Sequence, residues 1–216
     1  MRKWVGFIIV FLLVFAVRAS FADGGVVSYR LVDVDKHLFH VTMVFSRKLR
    51  AGVLSEVKVS SGSPTTKIEN AKAIDVREKT DLRVEKGMVK GCAGLRIYIS
   101  PEASKEEVTK HRIAVASGEG KPGELMVNVT IRVEADYVDS SSFFLKQGIL
   151  NFRREVTGFE TVKIILPKGY ALIDCYGGPI WVYMVDGTVN MNIVNEKGGK
   201  ITVGGRAVEI KADVLR

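Results

Sequence analysis

Strict alternation of apolar and polar residues is the feature that most limits what this chain can become. From Leu125 to Ala135, the residues Leu125, Val127, Val129, Ile131 and Val133 alternate with Met126, Asn128, Thr130, Arg132 and Glu134. Side chains two residues apart share a face on a strand but not on a helix, so this segment reads as a half-buried strand. The run from His37 to Phe45 repeats the pattern, with Phe39, Val41, Met43 and Phe45 set against His40, Thr42 and Val44. Together with Val26 to Val34, and the break at Asp35 and Lys36, it predicts a hairpin. Val53 to Val59 alternates again before the Ser60-Ser61-Gly62-Ser63-Pro64 loop.

The segment from Ile180 to Val194 fixes a register as well as an element. Asp186-Gly187 is a two-residue hairpin turn signal, and folding the flanks about it pairs Met184 with Val189, Val182 with Met191 and Ile180 with Ile193. That face is wholly apolar. The opposite face pairs Val185 with Thr188, Tyr183 with Asn190 and Trp181 with Asn192, which sets aromatic rings beside amides.

Elsewhere the signals are shorter. Thr65 to Gly94 is highly charged and irregular, and Leu95 to Ile99 reads as a short strand. Ser100 and Pro101 resemble a helix start, and Ser104 stands three residues before Glu107, so Glu102 to Lys110 is expected to make two or three helical turns. Strand signals recur around Phe143 to Leu145, Ile149 to Phe152, Val162 to Leu166, Ile201 to Val203 and Val208 to Ile210. About ten short strands, glycine-rich turns and at most one short helix specify an all-β fold, a β-sandwich over residues 23–216. A subdivision near 118–123 stays open.

Residues 1–22 read differently. Arg2 and Lys3 precede a 14-residue run from Trp4 to Val17, and Ser20 and Ala22 place small residues at the −3 and −1 positions before Asp23. A bilayer-spanning helix needs roughly 20 residues, so a cleaved signal peptide is expected rather than a permanent transmembrane span. No cysteine follows the cleavage point, which argues against a lipoprotein. Three of the cations behind the net charge of +8 lie in this segment, so the mature chain carries about +5. The remaining cations are dispersed, with Arg47, Lys48 and Arg50 and then Arg153 and Arg154 the densest groups, and no nucleic-acid partner is expected. Export permits a Cys92–Cys175 disulfide; the alternative is that both are buried apolar residues.

No catalytic constellation emerges. Gly118 to Gly123 matches Gly-x-Gly-x-x-Gly, but a dinucleotide loop leads from a strand into a helix, and this one holds Pro122 and leads into the strand from Leu125. His37 and His40 lie three apart on strand-like sequence and so face opposite ways, which denies them a shared metal. His111 follows the expected helix without a carboxylate at motif spacing. Asp33 and Asp35 read as a strand-end turn and Glu106 and Glu107 as solvated surface. His-Glu-x-x-His, Gly-x-Ser-x-Gly and Cys-x-x-Cys motifs are all missing. No cofactor, metal or enzymatic activity is therefore expected. The remaining feature is the Trp181, Tyr183, Asn190, Asn192 face, whose rings and amides suit an envelope protein or a glycan.

Two resemblances attach to these residues. The stretch from Phe144 and Gly148 through Phe152-Arg153-Arg154, Val162 to Leu166, Pro167-Lys168-Gly169-Tyr170, Cys175, Pro179 and Asp186-Gly187 to Asn195 resembles a C-terminal segment of uncharacterised exported bacterial proteins. That resemblance implies export and β architecture. Tyr29-Arg30-Leu31, His37 to Phe45 and Leu166-Pro167-Lys168-Gly169 resemble the N-terminal β-sandwich domain of glycyl-aminopeptidase-type zinc proteases. In that family the zinc and catalytic residues lie in a following helical domain, so no catalytic residue carries over and the resemblance bears on fold alone. The expected function is that of an exported, non-catalytic binding module. An enzyme with an unfamiliar site and a structural subunit of an envelope assembly are the alternatives.

Overall fold

The computed structural model describes residues 25–196 and 199–210. The expected signal peptide, Met1 to Ala22, lies outside the described residues, as does Asp23. Among the described residues the elements are β1 (Gly25–Asp33), β2 (Leu38–Arg50), β3 (Ser55–Ser60), β4 (Lys67–Asp75), β5 (Thr80–Val89), β6 (Cys92–Ile99), α1 (Lys105–Ala116), β7 (Met126–Val138), β8 (Phe143–Lys146), β9 (Ile149–Thr157), β10 (Thr161–Ile165), β11 (Tyr170–Tyr176), β12 (Ile180–Val185), β13 (Thr188–Val194) and β14 (Lys200–Glu209). The all-β fold is as expected, and the helix belongs to the surface.

The two longest strands make the spine. β2 and β7 pair antiparallel from Leu38 opposite Val138 to Arg50 opposite Met126. The alternation read in the sequence sends Phe39, Val41, Met43 and Phe45 inward from β2, and Val129, Ile131, Val133, Ala135 and Tyr137 inward from β7. Each large apolar side chain removed from water in this way contributes about 1.5–3 kcal/mol. Around this pair the larger sheet runs β12-β13-β10-β1-β2-β7-β4-β5-β6-β3, and a smaller one runs β11-β14-β9-β8.

β5 turns a corner. Thr80 to Leu82 pair with β4, whereas Arg83 to Val89 pair with β6. The β5-β6-β3 end thereby contributes Val57, Val59, Leu95 and Ile97 to the same core that Phe143, Leu150, Phe152 and Val156 enter from the small sheet. The layer facing the spine is thus built from two pieces, and between them the strands do not join.

Thr65 to Gly94, irregular as sequence, holds β4, β5 and the start of β6. Its pattern is broken by a bulge between Glu69 and Lys72, where Asn70 takes a φ of 45°, and by the exposed face of β5. The helix begins at Lys105 rather than the expected Glu102, because Ser104 caps it, and extends past the expected Lys110 to Ala116, so His111 falls inside it. Ser104 is its N-cap and forms a capping box with Glu107: the Ser104 backbone N–H donates to Glu107 Oε2 at 2.8 Å, and the Glu107 N–H donates to Ser104 Oγ at 3.2 Å. Arg77 ties this end to the β4–β5 turn through Glu107 and the Glu102 carbonyl. The Gly118–Gly123 loop follows a helix and precedes β7, the reverse of the order a dinucleotide loop requires.

Candidate functional site

The Asp186-Gly187 hairpin forms in the register read from the sequence, with all six pairs from Ile180–Ile193 to Val185–Thr188. Asp186 and Gly187 have φ of 51° and 74°, the positive values that a type I′ turn requires. Trp181 and Tyr183 share a face, and the Tyr183 hydroxyl donates to Asn192 Oδ1 at 3.4 Å, while the Lys163 ammonium sits 5.7 Å from the Tyr183 ring centre. The register places Trp181, Tyr183, Asn190 and Asn192 on one face of the hairpin, and they differ in how open they are. Asn190 is buried, and its amide donates to the Thr188 carbonyl at 3.1 Å and to Thr188 Oγ1 at 3.2 Å, so it is spent on its own turn. Trp181, at 59% exposure, remains open.

β12 overhangs the core. Met191 is fully buried on β13, but its partner Val182 is half exposed, and Met184 and Val185 are exposed on opposite faces. The strand ends the large sheet, with β13 its one neighbour among the described residues.

The other edges are guarded against pairing. β3 carries Glu56 and Lys58. β8 is four residues long and ends in Lys146. β11 is bent by a bulge between Leu172 and Asp174, and Asp174 is ion-paired with Arg206. These are the devices by which natural sheets blunt an open edge. β12, Ile-Trp-Val-Tyr-Met-Val, has no charge, proline or bulge.

A second cluster was not anticipated. Arg154 lies in phase with Leu150, Phe152 and Val156 on β9 and points into the core. Its Nη1 donates to Asp139 Oδ2 at 2.8 Å and to Ser142 Oγ at 2.6 Å, and its Nη2 donates to the Ser61 carbonyl. Its guanidinium stands 5.3–5.8 Å from the ring centres of Tyr29, Phe39 and Tyr137.

Asp139 accepts from Thr65 Oγ1, from Ser141 N–H and Oγ, from Thr66 Oγ1 and from Ser142 Oγ besides the arginine. Burial pushes its carboxyl up, but the hydroxyl donors and the Arg154 charge outweigh burial and hold it well below the usual carboxylate range. Both oxygens are fully engaged, so the group is a structural lock rather than a proton-transfer group. Its signal in the sequence was Arg154 standing in an apolar phase, and the Asp139-Ser140-Ser141-Ser142 run.

Between the two pieces of the second layer lies a cleft of about 660 Å³. β3, the end of β5 and Arg96 of β6 form one wall, and the Glu155–Phe159 segment forms the other. Residues of β1, β2 and β7 form its floor. Tyr137 belongs to that floor, and its hydroxyl has no hydrogen-bond partner among the described residues.

The remaining titratable residues have local roles. His37 sits in the β1–β2 turn with Nδ1 2.7 Å from the Phe143 carbonyl, whereas His40 Nδ1 lies 2.8 Å from Asp136 Oδ1. Asp33 accepts the Lys36 N–H at 3.1 Å, as a strand-end turn does. The permitted Cys92–Cys175 disulfide does not form. Both cysteines are free, because β6 sets Cys92 opposite Val89 while β11 sets Cys175 opposite Gly205 in the other sheet. Burial and the neighbouring Asp174 raise the Cys175 thiol. Among the described residues no three His, Cys, Asp or Glu side chains converge as a metal site, and no helix is long and apolar enough to cross a membrane.

No protein-family model and no curated protein matches the chain. Similar solved structures include an M1 zinc metallopeptidase from Deinococcus radiodurans, at 7% identity and a TM-score of 0.47, over 86% of this chain and 42% of that one. An aminopeptidase N family protein from Idiomarina loihiensis is similar at 12% identity and a TM-score of 0.44, over 84% of this chain and 29% of that one. Legionella pneumophila aminopeptidase A is similar at 8% identity and a TM-score of 0.43, over 86% and 21% respectively. The chain spans less than half the length of each.

Proposed function

We propose that this chain is an exported, non-catalytic binding module that captures an extended polypeptide segment of an envelope or extracellular protein by adding it as a strand along β12. The observation that supports this reading is the contrast among the sheet edges: among the described residues β12 alone of the four lacks a guard. An added strand satisfies the open backbone groups, and alternate side chains then meet Trp181 and Tyr183 on one face and Val182 and Met184 on the other. A polypeptide is favoured over a glycan because the Asn190 amide, which a sugar would need, is already engaged.

The test uses the mature chain beginning at Asp23, its start checked by the intact mass of the exported product. In a two-residue hairpin the residues flanking the turn exchange hydrogen bonds, so the Val182 N–H points away from β13. Val182→Pro therefore closes the outer edge while leaving the inner ladder in place. A displayed library of extended peptides is expected to yield binders to the parent chain, lost in Val182→Pro and weakened in Trp181→Ala/Tyr183→Ala. Failure to select any peptide refutes the reading. A dimer by light scattering that Val182→Pro dissociates refutes it too, because the occupant of the edge is then a second copy of the chain.

A further inference from the structure

An edge strand of a two-layered β fold turns one face to the core and the other to water. Past Ile180, which packs against the core, β12 is covered on neither face. Ile180, Val182 and Met184 share the inward face of the hairpin with Ile193, Met191 and Val189, their partners on β13. Those three β13 residues are 6% exposed or less, whereas Val182 is 49% exposed and Met184 70%. The second layer therefore covers β13 and stops short of β12, so the large sheet overhangs by one strand.

The outward face of β12 is apolar as well. Trp181 is 59% exposed and Val185 47%, with Tyr183 between them. From Trp181 across the sheet the same row continues through Asn192, Lys163, Ser28, Thr42 and Glu134, the polar residues of a face that meets water. The apolar character of that row is confined to the edge.

Backbone geometry gives the two rows different parts. Val185 and Thr188 flank the turn and bond each other, and by alternation so do Tyr183 with Asn190 and Trp181 with Asn192. The N–H and C=O groups of Val182 and Met184 point the other way, toward an added strand. In an antiparallel addition Trp181 and Tyr183 then stand at the positions without such bonds, where facing side chains come closest.

We propose that the segment captured at β12 carries apolar side chains on both faces: it is a strand from the interior of another protein's β-sheet, held before that protein has folded. The inference rests on strand addition at β12 and specifies what is added. A segment that alternates polar with apolar residues would cover one of the two rows and set a polar row against the other. A near-continuous apolar segment covers both. Such segments are buried on both faces once their own protein is folded, so they are accessible only in its unfolded chain.

Fluorescence anisotropy with short labelled peptides tests this. One peptide alternates isoleucine with tyrosine and a second alternates isoleucine with glutamine, each ended by lysines and used where it is monomeric. The first should bind the mature chain roughly tenfold more tightly than the second, and Val182→Pro should abolish binding of both. Trp181→Thr/Tyr183→Thr on the outward face and Val182→Thr/Met184→Thr on the inward face keep strand propensity. Each should weaken the first peptide roughly tenfold. The second peptide turns its single apolar row to either face, so it should lose less from either change.

Equal binding of the two peptides, or a loss confined to one face, overturns the inference and leaves strand addition standing, provided that Val182→Pro still abolishes binding. Binding that survives Val182→Pro, or no binding of either peptide, removes strand addition and the inference with it. A whole protein supplies the second measurement. An immunoglobulin domain with its disulfide reduced and alkylated, shown by circular dichroism to be unfolded, should be retained by the immobilised mature chain, and the native domain should not. Equal retention of the native domain, or retention of neither, overturns the assignment to an unfolded chain.

Discussion

Replacing Arg154 by methionine keeps most of the side-chain volume and removes the charge at the centre of the core. Asp139 then loses one of its six donors, the charged one, while remaining fully buried. Breaking a buried ion pair from one side costs about 3–5 kcal/mol, because the partner left behind is neither hydrated nor paired. The retained bonds from Thr65, Thr66, Ser141 and Ser142 still solvate the carboxylate, which places the loss near the lower end, about 3 kcal/mol. For a chain of this size that is a fall of about 6–12 °C in thermal midpoint.

Far-UV circular dichroism in urea is the suitable measurement for Arg154→Met. Trp181 is largely exposed in the folded state, so tryptophan emission responds weakly to unfolding of the core. The midpoint should drop with an unchanged m-value. Adding Asp139→Asn to Arg154→Met should cost less than the two single losses together, since the second change removes the stranded charge. A loss below about 1 kcal/mol for Arg154→Met would refute the reasoning, because that is the size of an ion pair open to water.

The same carboxylate sets a pH dependence. Its native ionisation lies below that of the unfolded chain, so its stabilisation is present in full above about pH 4 and is lost as pH falls through the unfolded carboxylate range toward the native value. Urea midpoints measured from pH 7 downward should fall below about pH 4, less steeply in Asp139→Asn than in the parent; equal slopes would contradict this. A Cβ on Gly205 would lie 2.6 Å from Phe152 Cζ, in the middle strand between β9 and β11. Gly205→Ala should therefore cost about 2–3 kcal/mol in urea unfolding, and Gly199→Ala, with open space around it, close to nothing. Both cysteines should react with iodoacetamide without prior reduction, and the raised thiol of Cys175 calls for alkaline pH to label readily.

How much the sequence disclosed depended on whether a residue's role was set by its neighbours in the chain. The β12–β13 hairpin was legible to the residue because a two-residue turn and a period of two determine the register together. The Ser104–Glu107 capping box was legible for the same reason, although the C-terminal end of α1 was not, since nothing local stops the helix before Ser117. β4 and β5 were hidden because one contains a bulge at Asn70 and the other changes partners at Arg83, both consequences of where the strands must go. Asn190 holds its expected place opposite Tyr183, but that its amide is taken up by Thr188 depends on burial, which the alternation does not disclose. The cleft was beyond reach: its residues come from strands far apart in sequence, and its mouth unites cations that looked dispersed along the chain.

The lock and the cleft meet at β9. Through its bond to the Ser61 carbonyl, Arg154 holds β9 to the end of β3, and Ser61 and Gly62 form part of the cleft lining. A Cβ on Gly62 would stand 3.0 Å from the Glu155 carbonyl, so the two pieces of the second layer come within backbone reach at that end. The unjoined layer is therefore pinned at one end by a buried ion pair and separated over its floor. A hydrophobic pair at Arg154 and Asp139 could match the lock for stability, but it would not reach the Ser61 carbonyl with a charged, directional donor. The buried charge thereby fixes the spacing of β3 and β9 at the end of the cleft where Ser61 and Gly62 lie.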